Sequence, residues 1–578
     1  MMEQGPDVEQ LMRSNPLKMK FDPFRKILLL ILAGGLLVRI GPPGSLAIDH
    51  FDEGIYALAG QWIYQPGGLT RLDPTVIPYG PPVTSVLIGI ATFLLGGPSD
   101  FAAILPGIIC GTLSILIAFQ FCRCIFGETE GLIAASLIAF SGMAVAFSRT
   151  ALTDTPLLLF WLMAMQSGLK FLEKPGLKYA ILMGMTVGLC QLTKYNGALT
   201  GIIIAATALL EYCISFIQKK SESRIFVRRI VFGMIGAVVA FAVYLPWLLY
   251  VEKHGGYRSL MNHHSGYISP LMQWPDNFKM QLVQAWAFDQ FFIMKIMLVL
   301  LIMTISMIVL NQKKKDAATP RKLAYFSLLV ITFLFIPNAG WFISLLLLPG
   351  LLKSNQTGAR LLCTWFLLMS VITPFYHPYA RLWLPTQIAS FCIAAQAIAL
   401  LMQADAATLT IRRPSAITAS FKYFLVPLFI SLLITEFRLF SLSQVSTDIY
   451  RGRGAMRQEV ALLAPSIEKA LAGQRVEMLI SPAVRWHLLG VLNTNTTRGQ
   501  LASLENLKAA SGRSPLLIDL SLVHQDEINA LPEPLRSKII EIFKPPSAQN
   551  RGLITTLDLA PDAPLHPPLP TAGLVLIN

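Results

Sequence analysis

The sequence is poor in charged residues and has few cysteines. Only 14% of its 578 residues are charged, whereas 54% are hydrophobic and the mean hydropathy is +0.57. Soluble domains have about 25% charged residues. The composition therefore excludes an ordinary soluble protein and predicts an integral membrane protein, much of whose surface faces lipid.

The seven cysteines all lie in or beside apolar segments, and none falls in a long polar loop. This distribution gives no disulfide framework and no zinc motif. Cys122 and Cys124 are only two positions apart, which is not the spacing of a metal knuckle. We interpret the cysteines as helix-packing residues.

The net charge of +14 does not predict nucleic-acid binding. The basic residues are concentrated in short stretches between apolar runs, where the positive-inside rule already explains them. These stretches have no interleaved aromatic residues and match no nucleic-acid-binding motif. Membrane lipids, not nucleic acids, are the expected surroundings of the basic residues.

Apolar runs predict a polytopic α-helical membrane protein with about thirteen transmembrane helices, some of them short for a bilayer core of about 30 Å. The first run follows a polar stretch and is expected to be an uncleaved helix. The runs lie near 27–47, 101–121, 130–148, 155–172, 179–193, 197–217, 230–251, 291–310, 323–337, 340–352, 358–376, 382–402 and 423–441.

Two basic loops predict the orientation. Segments 218–229 and 311–322 each carry five basic residues and one acidic residue, so both are expected to be cytoplasmic. The predicted parts are a cytoplasmic N-terminus, a transmembrane domain with two long outer loops, and an extracytoplasmic α/β domain: 1–26, 27–441 (loops 48–100 and 252–290) and 442–578.

The apolar stretch from Val83 to Leu95 is expected to lie along the outer membrane surface instead of crossing. About thirteen helical residues reach only about 20 Å. A crossing here would also invert every later segment and place both basic loops outside.

The last 137 residues or so show both helical and strand-like patterns. A helical pattern over 456–472 ends at Gly473, and strand-like runs follow at 476–481 and 515–523. A small α/β domain is predicted, with a loosely ordered proline-rich tail from Pro545.

The first outer loop places Asp52 and Glu53 side by side, just beyond the first predicted helix. Adjacent carboxylates at a membrane surface can act as a general base and its supporting partner. The alternative is a solvated acidic loop. Tyr56, one turn later, either borders such a site or anchors at the interface.

Asp154 lies in a short turn between two apolar runs, on the same predicted side as Asp52. One interpretation is an N-cap for the following helix, because Pro156 marks a helix start. The other is an active-site carboxylate. The two are compatible.

Four cations lie at or near the same predicted membrane level, namely Arg149, Lys194, Lys295 and Arg381. A charge at the edge of a span is costly unless it is paired, although a long side chain can also extend to lipid headgroups. For Lys194 and Arg381, which are flanked by turn and aromatic residues, an anionic ligand is favoured.

The second outer loop contributes His263, His264 and Tyr267. Adjacent histidines point in different directions, so these two do not predict a metal site. One histidine binding a sugar or phosphate and a purely structural surface role both stay open.

Several of these residues form motifs in a recognisable order. They are D-E-x-x-Y (Asp52, Glu53, Tyr56), the pair Pro81 and Pro82, R-x-x-x-x-D (Arg149, Asp154), an LTK turn (Lys194) and YHPY-x-R-L (Tyr379, Arg381). Together, over about residues 27–400, they resemble the dolichyl-phosphate-mannose-protein mannosyltransferase family, which includes the bacterial aminoarabinose transferase acting on lipid A.

The resemblance implies the GT-C glycosyltransferase fold and an inverting transfer of a hexosyl or pentosyl group. The donor would be a polyprenyl-phosphate-linked sugar, and the acceptor a glycolipid, protein or envelope polymer at the outer face of the plasma (inner) membrane. A prenyl phosphate is already activated, so no nucleotide site is expected, and a divalent cation stays open.

The resemblance also implies roles for individual residues. Asp52 matches the catalytic aspartate, with Glu53 and Asp154 as accessory acids. The implied donor-phosphate contacts are Lys194, Arg381 and Arg149, and the other substrate contacts are Tyr56, His263, His264, Tyr267 and Tyr379. A transporter or flippase of lipid-linked sugars is the alternative, but transporters bind near the bilayer midplane and often show inverted repeats, and the sequence has no internal repeat.

Overall fold

A computed structural model describes most of the transmembrane region and parts of the C-terminal region. The described residues are 23–41, 45–61, 80–218, 223–289, 338–408, 455–471, 476–479, 482–491, 497–500, 516–519, 539–543 and 574–577.

The described helices overlap the predicted apolar runs in this part of the chain, and further helices lie in the predicted outer loops and in the C-terminal region. They are α1 Pro23–Ile40, α2 Phe51–Gln61, α3 Val83–Leu94, α4 Asp100–Ile125, α5 Glu128–Phe140, α6 Gly142–Ser148, α7 Asp154–Glu173, α8 Leu177–Thr193, α9 Leu199–Ile217, α10 Ser223–Lys253, α11 Gly256–Ser265, α12 Trp274–Asp289, α13 Ala339–Lys353, α14 Thr357–Ile372, α15 Leu384–Thr408, α16 Ala455–Leu471 and α17 Pro482–Val491.

Six helices in the described part of the chain are long and apolar enough to cross a bilayer: α4, α7, α9, α10, α14 and α15. The α5–α6 pair adds a seventh if it counts as one broken span. The protein is therefore an integral multi-pass membrane protein. The predicted runs 291–310, 323–337 and 423–441 lie outside the described residues, so the count of thirteen stays a prediction.

The predicted single run over 130–148 is two helices in the structure. The chain bends by 59° between α5 and α6. Ser141 is extended there, and its hydroxyl accepts a hydrogen bond from the Ala144 N–H at 3.3 Å, which caps α6. The bend directs α6 into the turn that carries Arg149 and leads to Asp154.

The helices pack around an apolar centre that contains several aromatic residues. Trp161 of α7 and Trp365 of α14 are fully buried, with ring centroids 6.2 Å apart, and Phe121 of α4 lies edge-on to Trp365. Aromatic pairs in this geometry add to the stabilisation from area burial. The centre holds α4, α7 and α14 in fixed positions and so fixes the ends of these helices.

Charged residues are buried at the end of α7 opposite Asp154. Glu211 lies 2.7 Å from Arg229 and 3.5 Å from Arg360, and all three are less than 10% exposed. Arg229 also donates to the Leu172 carbonyl at the end of α7. With 20 residues in α7, this cluster lies about 30 Å from Asp154 along the helix axis.

The described C-terminal segments combine α16 and α17 with five strands. The strands are β1 Val476–Leu479, β2 Thr497–Gln500, β3 Leu516–Asp519, β4 Ile539–Phe543 and β5 Leu574–Ile577, in the order β2-β1-β3-β5-β4. The β1 strand runs parallel to β2 and β3, whereas β5 is antiparallel to β3 and β4. Helix α16 and strands β1 and β3 coincide with the predicted helical and strand-like patterns.

Candidate active site

Asp52 lies in the first turn of α2 and forms a buried ion pair with Arg381. The distance from Asp52 Oδ2 to Arg381 Nη1 is 2.7 Å, and the two side chains are 8% and 12% exposed. His50, just before the helix, accepts a hydrogen bond from the Asp52 backbone N–H through its Nδ1 at 3.1 Å. The start of α2 therefore fixes the backbone of Asp52, and Arg381 compensates its charge.

Glu53 is fully buried and bonds to backbone on two sides. Its Oε2 accepts from the N–H groups of Asp49 (3.2 Å) and His50 (2.9 Å), and Oε1 accepts from the Ala151 N–H at 3.0 Å. The first contacts cap α2, because those N–H groups precede the helix. The third joins α2 to the turn that leads to Asp154.

Asp154 is the first residue of α7, and Thr153 occupies the N-cap position. The N-cap alternative for Asp154 is therefore wrong. Its Oδ1 instead lies 2.7 Å from Lys194 Nζ in the turn between α8 and α9. Its Oδ2 is buried and accepts no hydrogen bond from the described residues.

The two ion pairs belong to one cluster. The charges of Asp52 and Arg381 act on Lys194, and those of Asp52, Asp154 and Arg381 act on Tyr56. The structure thus brings together Asp52, Asp154, Lys194 and Arg381, four of the charged residues that the sequence predicted to share one face, with Tyr56 beside them. In each pair the carboxylate and the cation compensate each other's charge.

Tyr56 is 8% exposed and lies among these charges. Burial, reinforced by the negative charge of Asp52, raises the pKa of Tyr56 far above its ordinary value. The phenol therefore stays protonated at physiological pH.

Arg149 lies next to this cluster but contacts backbone. Its guanidinium donates to the carbonyl of Arg39 at 2.8 Å, to the carbonyl of Ser45 at 3.3 Å and to the Ser45 hydroxyl at 2.6 Å. Arg149 is 1% exposed. These contacts hold the end of α1 and the approach to α2 against the turn before α7.

Four ring side chains, His264, Tyr267, Tyr376 and Tyr379, lie together beside the Asp52–Arg381 pair and are called the aromatic wall below. The Arg381 guanidinium lies 5.0 Å from the centroid of the Tyr379 ring, and Tyr267 contacts the rings of Tyr379 and Tyr376 at 6.2 and 5.8 Å. His264 Nδ1 is 3.2 Å from the Tyr376 hydroxyl. The predicted residues His264, Tyr267 and Tyr379 therefore lie together, whereas the His263 side chain lies outside the described residues, as does Lys295.

The wall is built from two segments far apart in sequence. The Ser269 N–H donates to the Phe375 carbonyl and the His377 N–H to the Tyr267 carbonyl, both at 2.8 Å. Burial raises the pKa of Tyr376 to about 12, so this phenol also stays protonated. Tyr376 was missed as a site residue, although it begins the YHPY motif that supplied Tyr379 and Arg381.

Tyr195 was also missed, although it directly follows Lys194. Its ring lies edge-on to His264, with centroids 5.7 Å apart. The LTK turn thus touches the aromatic wall as well as Asp154. Across the described ranges, no three or more His, Cys, Asp and Glu side chains form a group suited to a metal ion.

Part of the chain is similar in sequence to known glycosyltransferases. Residues 79–250 match the family of dolichyl-phosphate-mannose-protein mannosyltransferases. YkcB of Bacillus subtilis (strain 168), whose assignment as a mannosyltransferase is itself a prediction, is 29% identical over 174 residues. That match covers 30% of this chain and 23% of YkcB, so it spans about a quarter of the curated relative.

The overall fold matches ArnT from Cupriavidus metallidurans. The crystal structure of ArnT bound to undecaprenyl phosphate aligns with a TM-score of 0.52 and 13% identity, over 96% of this chain and 97% of ArnT. The apo structure of ArnT gives 0.51 and 12%, over 96% and 98%. Residues 79–250 are thus similar in sequence to the dolichyl-phosphate-mannose-protein mannosyltransferases, and the fold is similar to that of ArnT over nearly the whole chain.

Proposed function

We propose that the protein is an inverting glycosyltransferase that moves a hexosyl or pentosyl group from a polyprenyl phosphate to an acceptor. The observation that carries this proposal is the pairing of Asp52 with Arg381 and of Asp154 with Lys194 in one buried cluster. Paired acids and cations suit a reaction in which a proton leaves the acceptor while negative charge grows on a departing phosphate. ArnT, which shares the fold, has been crystallised with undecaprenyl phosphate.

In the proposed reaction, Asp52 is the general base. An acceptor hydroxyl or amine attacks the anomeric carbon, and its proton passes to the Asp52 carboxylate. The bond between the anomeric carbon and the phosphate oxygen breaks, and its electron pair leaves with the polyprenyl phosphate. Because the acceptor enters opposite the leaving group, the configuration at that carbon inverts.

Arg381 and Lys194 are the proposed phosphate contacts. A guanidinium binds a phosphate with two parallel hydrogen bonds, and both cations are more effective in a poorly hydrated site than in water. Arg381 is already bonded to Asp52, so a donor phosphate that reaches it competes with that carboxylate. Donor binding would thereby release Asp52 to act as a base.

Glu53 and Arg149 are proposed to position the cluster. Glu53 accepts from the Ala151 N–H, and Arg149 donates to the Arg39 carbonyl and to the Ser45 hydroxyl, which suits them to fixing α2 against the turn before α7. Asp154 holds Lys194 through Oδ1, and its buried Oδ2 can accept a hydrogen bond from the acceptor or the sugar.

The aromatic wall is the proposed sugar contact. Tyr267, Tyr376 and Tyr379 supply ring faces and hydroxyl groups beside Arg381, and His264 adds a ring nitrogen. Protonated phenols can donate to sugar hydroxyls or to a phosphate. Tyr56 completes the polar boundary on the α2 side.

We place the site at the outer face of the plasma (inner) membrane, with a lipid or protein as acceptor. The basic loops support this orientation through the positive-inside rule. The paired charges lie at helix ends and turns, which favours a surface reaction over the midplane binding of a transporter. No step of the proposed reaction uses a metal or a nucleotide.

The decisive experiment uses purified protein in detergent, where no compartments exist. Undecaprenyl-phosphate-linked hexoses and pentoses are supplied with extracted envelope glycolipids or proteins, and free undecaprenyl phosphate is measured by mass spectrometry. A transferase releases it together with a glycosylated acceptor, whereas a transporter releases none. Mass analysis of envelope glycoconjugates from cells with and without the protein identifies the acceptor.

A further inference from the structure

The C-terminal region occupies both oxygens of a buried carboxylate in the transmembrane region. Asp100, the first residue of α4, accepts a hydrogen bond at Oδ1 from Trp486 Nε1 (2.8 Å) and at Oδ2 from Arg457 Nη1 (3.1 Å). Trp486 is 5% exposed, whereas the Arg457 side chain is 42% exposed and its ion pair is screened by solvent. Trp486 is therefore the main anchor of α17 at this position.

The same helix holds the beginning of the first outer loop. His487 Nε2 donates to the Ile48 carbonyl at 2.6 Å, and its Nδ1 lies 3.9 Å from Asp100 Oδ1. His487 is 5% exposed. Residues 48 and 100 are the two ends of the loop that contains Asp52, so Trp486 and His487 join these ends.

The closest approach of α17 is to α2 itself. A Cβ atom at Gly54 would lie 2.2 Å from the Ala483 backbone nitrogen and 2.3 Å from the Pro482 carbonyl carbon. Backbone atoms cannot move away as a flexible side chain can, so this packing requires glycine. Gly54 directly follows Glu53, and α17 therefore presses on the turn of α2 that carries both carboxylates.

We propose that α17 is a positioning element of the active site, in which Trp486, His487 and the contact at Gly54 hold Asp52 in place opposite Arg381. The C-terminal region is then part of the catalytic unit. The catalytic consequence rests on the proposed function. The structural consequence, an ordered α2, does not.

The test uses full-length protein in lipid nanodiscs and four variants that weaken the contact to different degrees. Trp486→Phe removes one N–H donor, Gly54→Ala adds the obstructing Cβ, and His487→Ala removes the donor to Ile48. His487→Gln restores an N–H donor and should recover much of the lost activity. Ser466→Ala on the exposed face of α16 and Gly350→Ala, whose Cβ would have no neighbour within 4 Å, are the matched controls.

We expect kcat to fall about 10- to 100-fold in Trp486→Phe and Gly54→Ala, because small misplacements of a catalytic group have costs of this order. The KM for the undecaprenyl-phosphate-linked sugar should stay near the parent value, since the cations are untouched. Hydrogen–deuterium exchange should become faster in the peptide covering α2 and stay unchanged in α7.

Unchanged kcat and unchanged exchange in α2 would overturn the proposal. Parallel changes in kcat, KM and exchange across all helices would overturn it too, because they would show general destabilisation instead of positioning. If the parent protein transfers no sugar, the proposed function fails. Exchange in α2 then still decides whether α17 orders this helix.

Discussion

The Arg381 guanidinium lies 2.7 Å from the Asp52 carboxylate, although 329 positions separate the two residues in the chain. Both side chains are largely buried, so removing either partner leaves the other uncompensated at considerable cost. The same guanidinium is the proposed phosphate contact. In the proposed mechanism, binding of the donor phosphate to Arg381 and release of Asp52 as the base are therefore linked.

Replacing Asp52 with Asn should abolish transfer while leaving donor binding intact. Loss of a general base costs about a hundredfold to ten-thousandfold in rate. Because the neutral amide competes less well for Arg381, affinity for undecaprenyl phosphate should equal or exceed that of the parent. Turnover and binding are measured on the same detergent preparation, with Asp276→Asn on the exposed face of α12 as control. Near-parental turnover would remove Asp52 from the mechanism.

Replacing Arg381 or Lys194 with Ala should weaken binding of undecaprenyl phosphate. Each substitution removes a cation from a low-dielectric site and leaves a carboxylate that repels the phosphate. Lys194→Arg and Arg381→Lys keep the charge, so they should bind better than the Ala variants. Lys353→Ala, at an exposed helix end, is the control. If both Ala variants bind as tightly as the parent, the two cations are structural.

The sequence predicted which charges share a face but not how they pair. Motif order placed Asp52, Asp154, Lys194 and Arg381 on one side of the membrane, and the structure brings them into one cluster. The partners could not be assigned, because pairing depends on helix rotation and on turns between segments far apart in the chain. The N-cap interpretation of Asp154 was wrong by one residue. The sequence pattern does not locate the start of a helix that closely.

Glu53 and Arg149 illustrate the other limit of the sequence. The sequence predicted Glu53 as an accessory acid and Arg149 as a donor-phosphate contact, and both roles stay predictions. In the structure they bond to backbone groups of Ala151 and Arg39, and such partners have no side-chain signature. The number of helices is also difficult to predict from the sequence, because the bend at Ser141 lies within a continuous apolar run.

Replacing Glu53 with Gln should lower both stability and turnover. The amide offers one acceptor where the carboxylate serves backbone N–H groups on two sides, so at least one buried N–H loses its partner. The expected destabilisation is about 1–3 kcal/mol. Turnover per folded molecule should also fall, because α2 loses its link to the turn before α7. Thermal unfolding and kcat are compared in one preparation, and loss of stability without loss of kcat would argue against a positioning role.

Replacing Glu211 with Gln should give the contrasting result. It leaves Arg229 and Arg360 buried with less compensation, which costs about 3–5 kcal/mol when a buried charge loses its partner. The cluster is one helix length away from Asp154, so kcat per folded molecule should stay near the parent value. Glu173→Gln, on an exposed position near the same helix ends, is the control. A large fall in kcat for Glu211→Gln would mean that the two ends of α7 are coupled.

The position of α3 decides the predicted topology. Its 12 residues reach about 18 Å, short of a hydrocarbon core of about 30 Å. A crossing by α3 would also place the loop at 218–229 outside, against the positive-inside rule. We therefore expect α3 to lie along the outer surface, where it offers an apolar platform beside the entrance for a prenyl chain.

A cysteine just after α3 tests this arrangement in intact cells. Pro98 is an exposed position between α3 and α4, and it is preferable to Ser99, whose hydroxyl accepts from the Ala102 N–H at 3.1 Å and caps α4. Pro98→Cys is made in a background without the native cysteines and probed with a membrane-impermeant thiol reagent, with Lys178→Cys as the control predicted to be cytoplasmic. Position 98 should be labelled from outside, and position 178 only after the membrane is opened. The reverse pattern would show that α3 crosses the membrane or that the whole orientation is inverted, and either result would overturn the predicted topology. Labelling of both positions from outside would contradict the three crossings predicted between them, namely α4, the α5–α6 pair and α7.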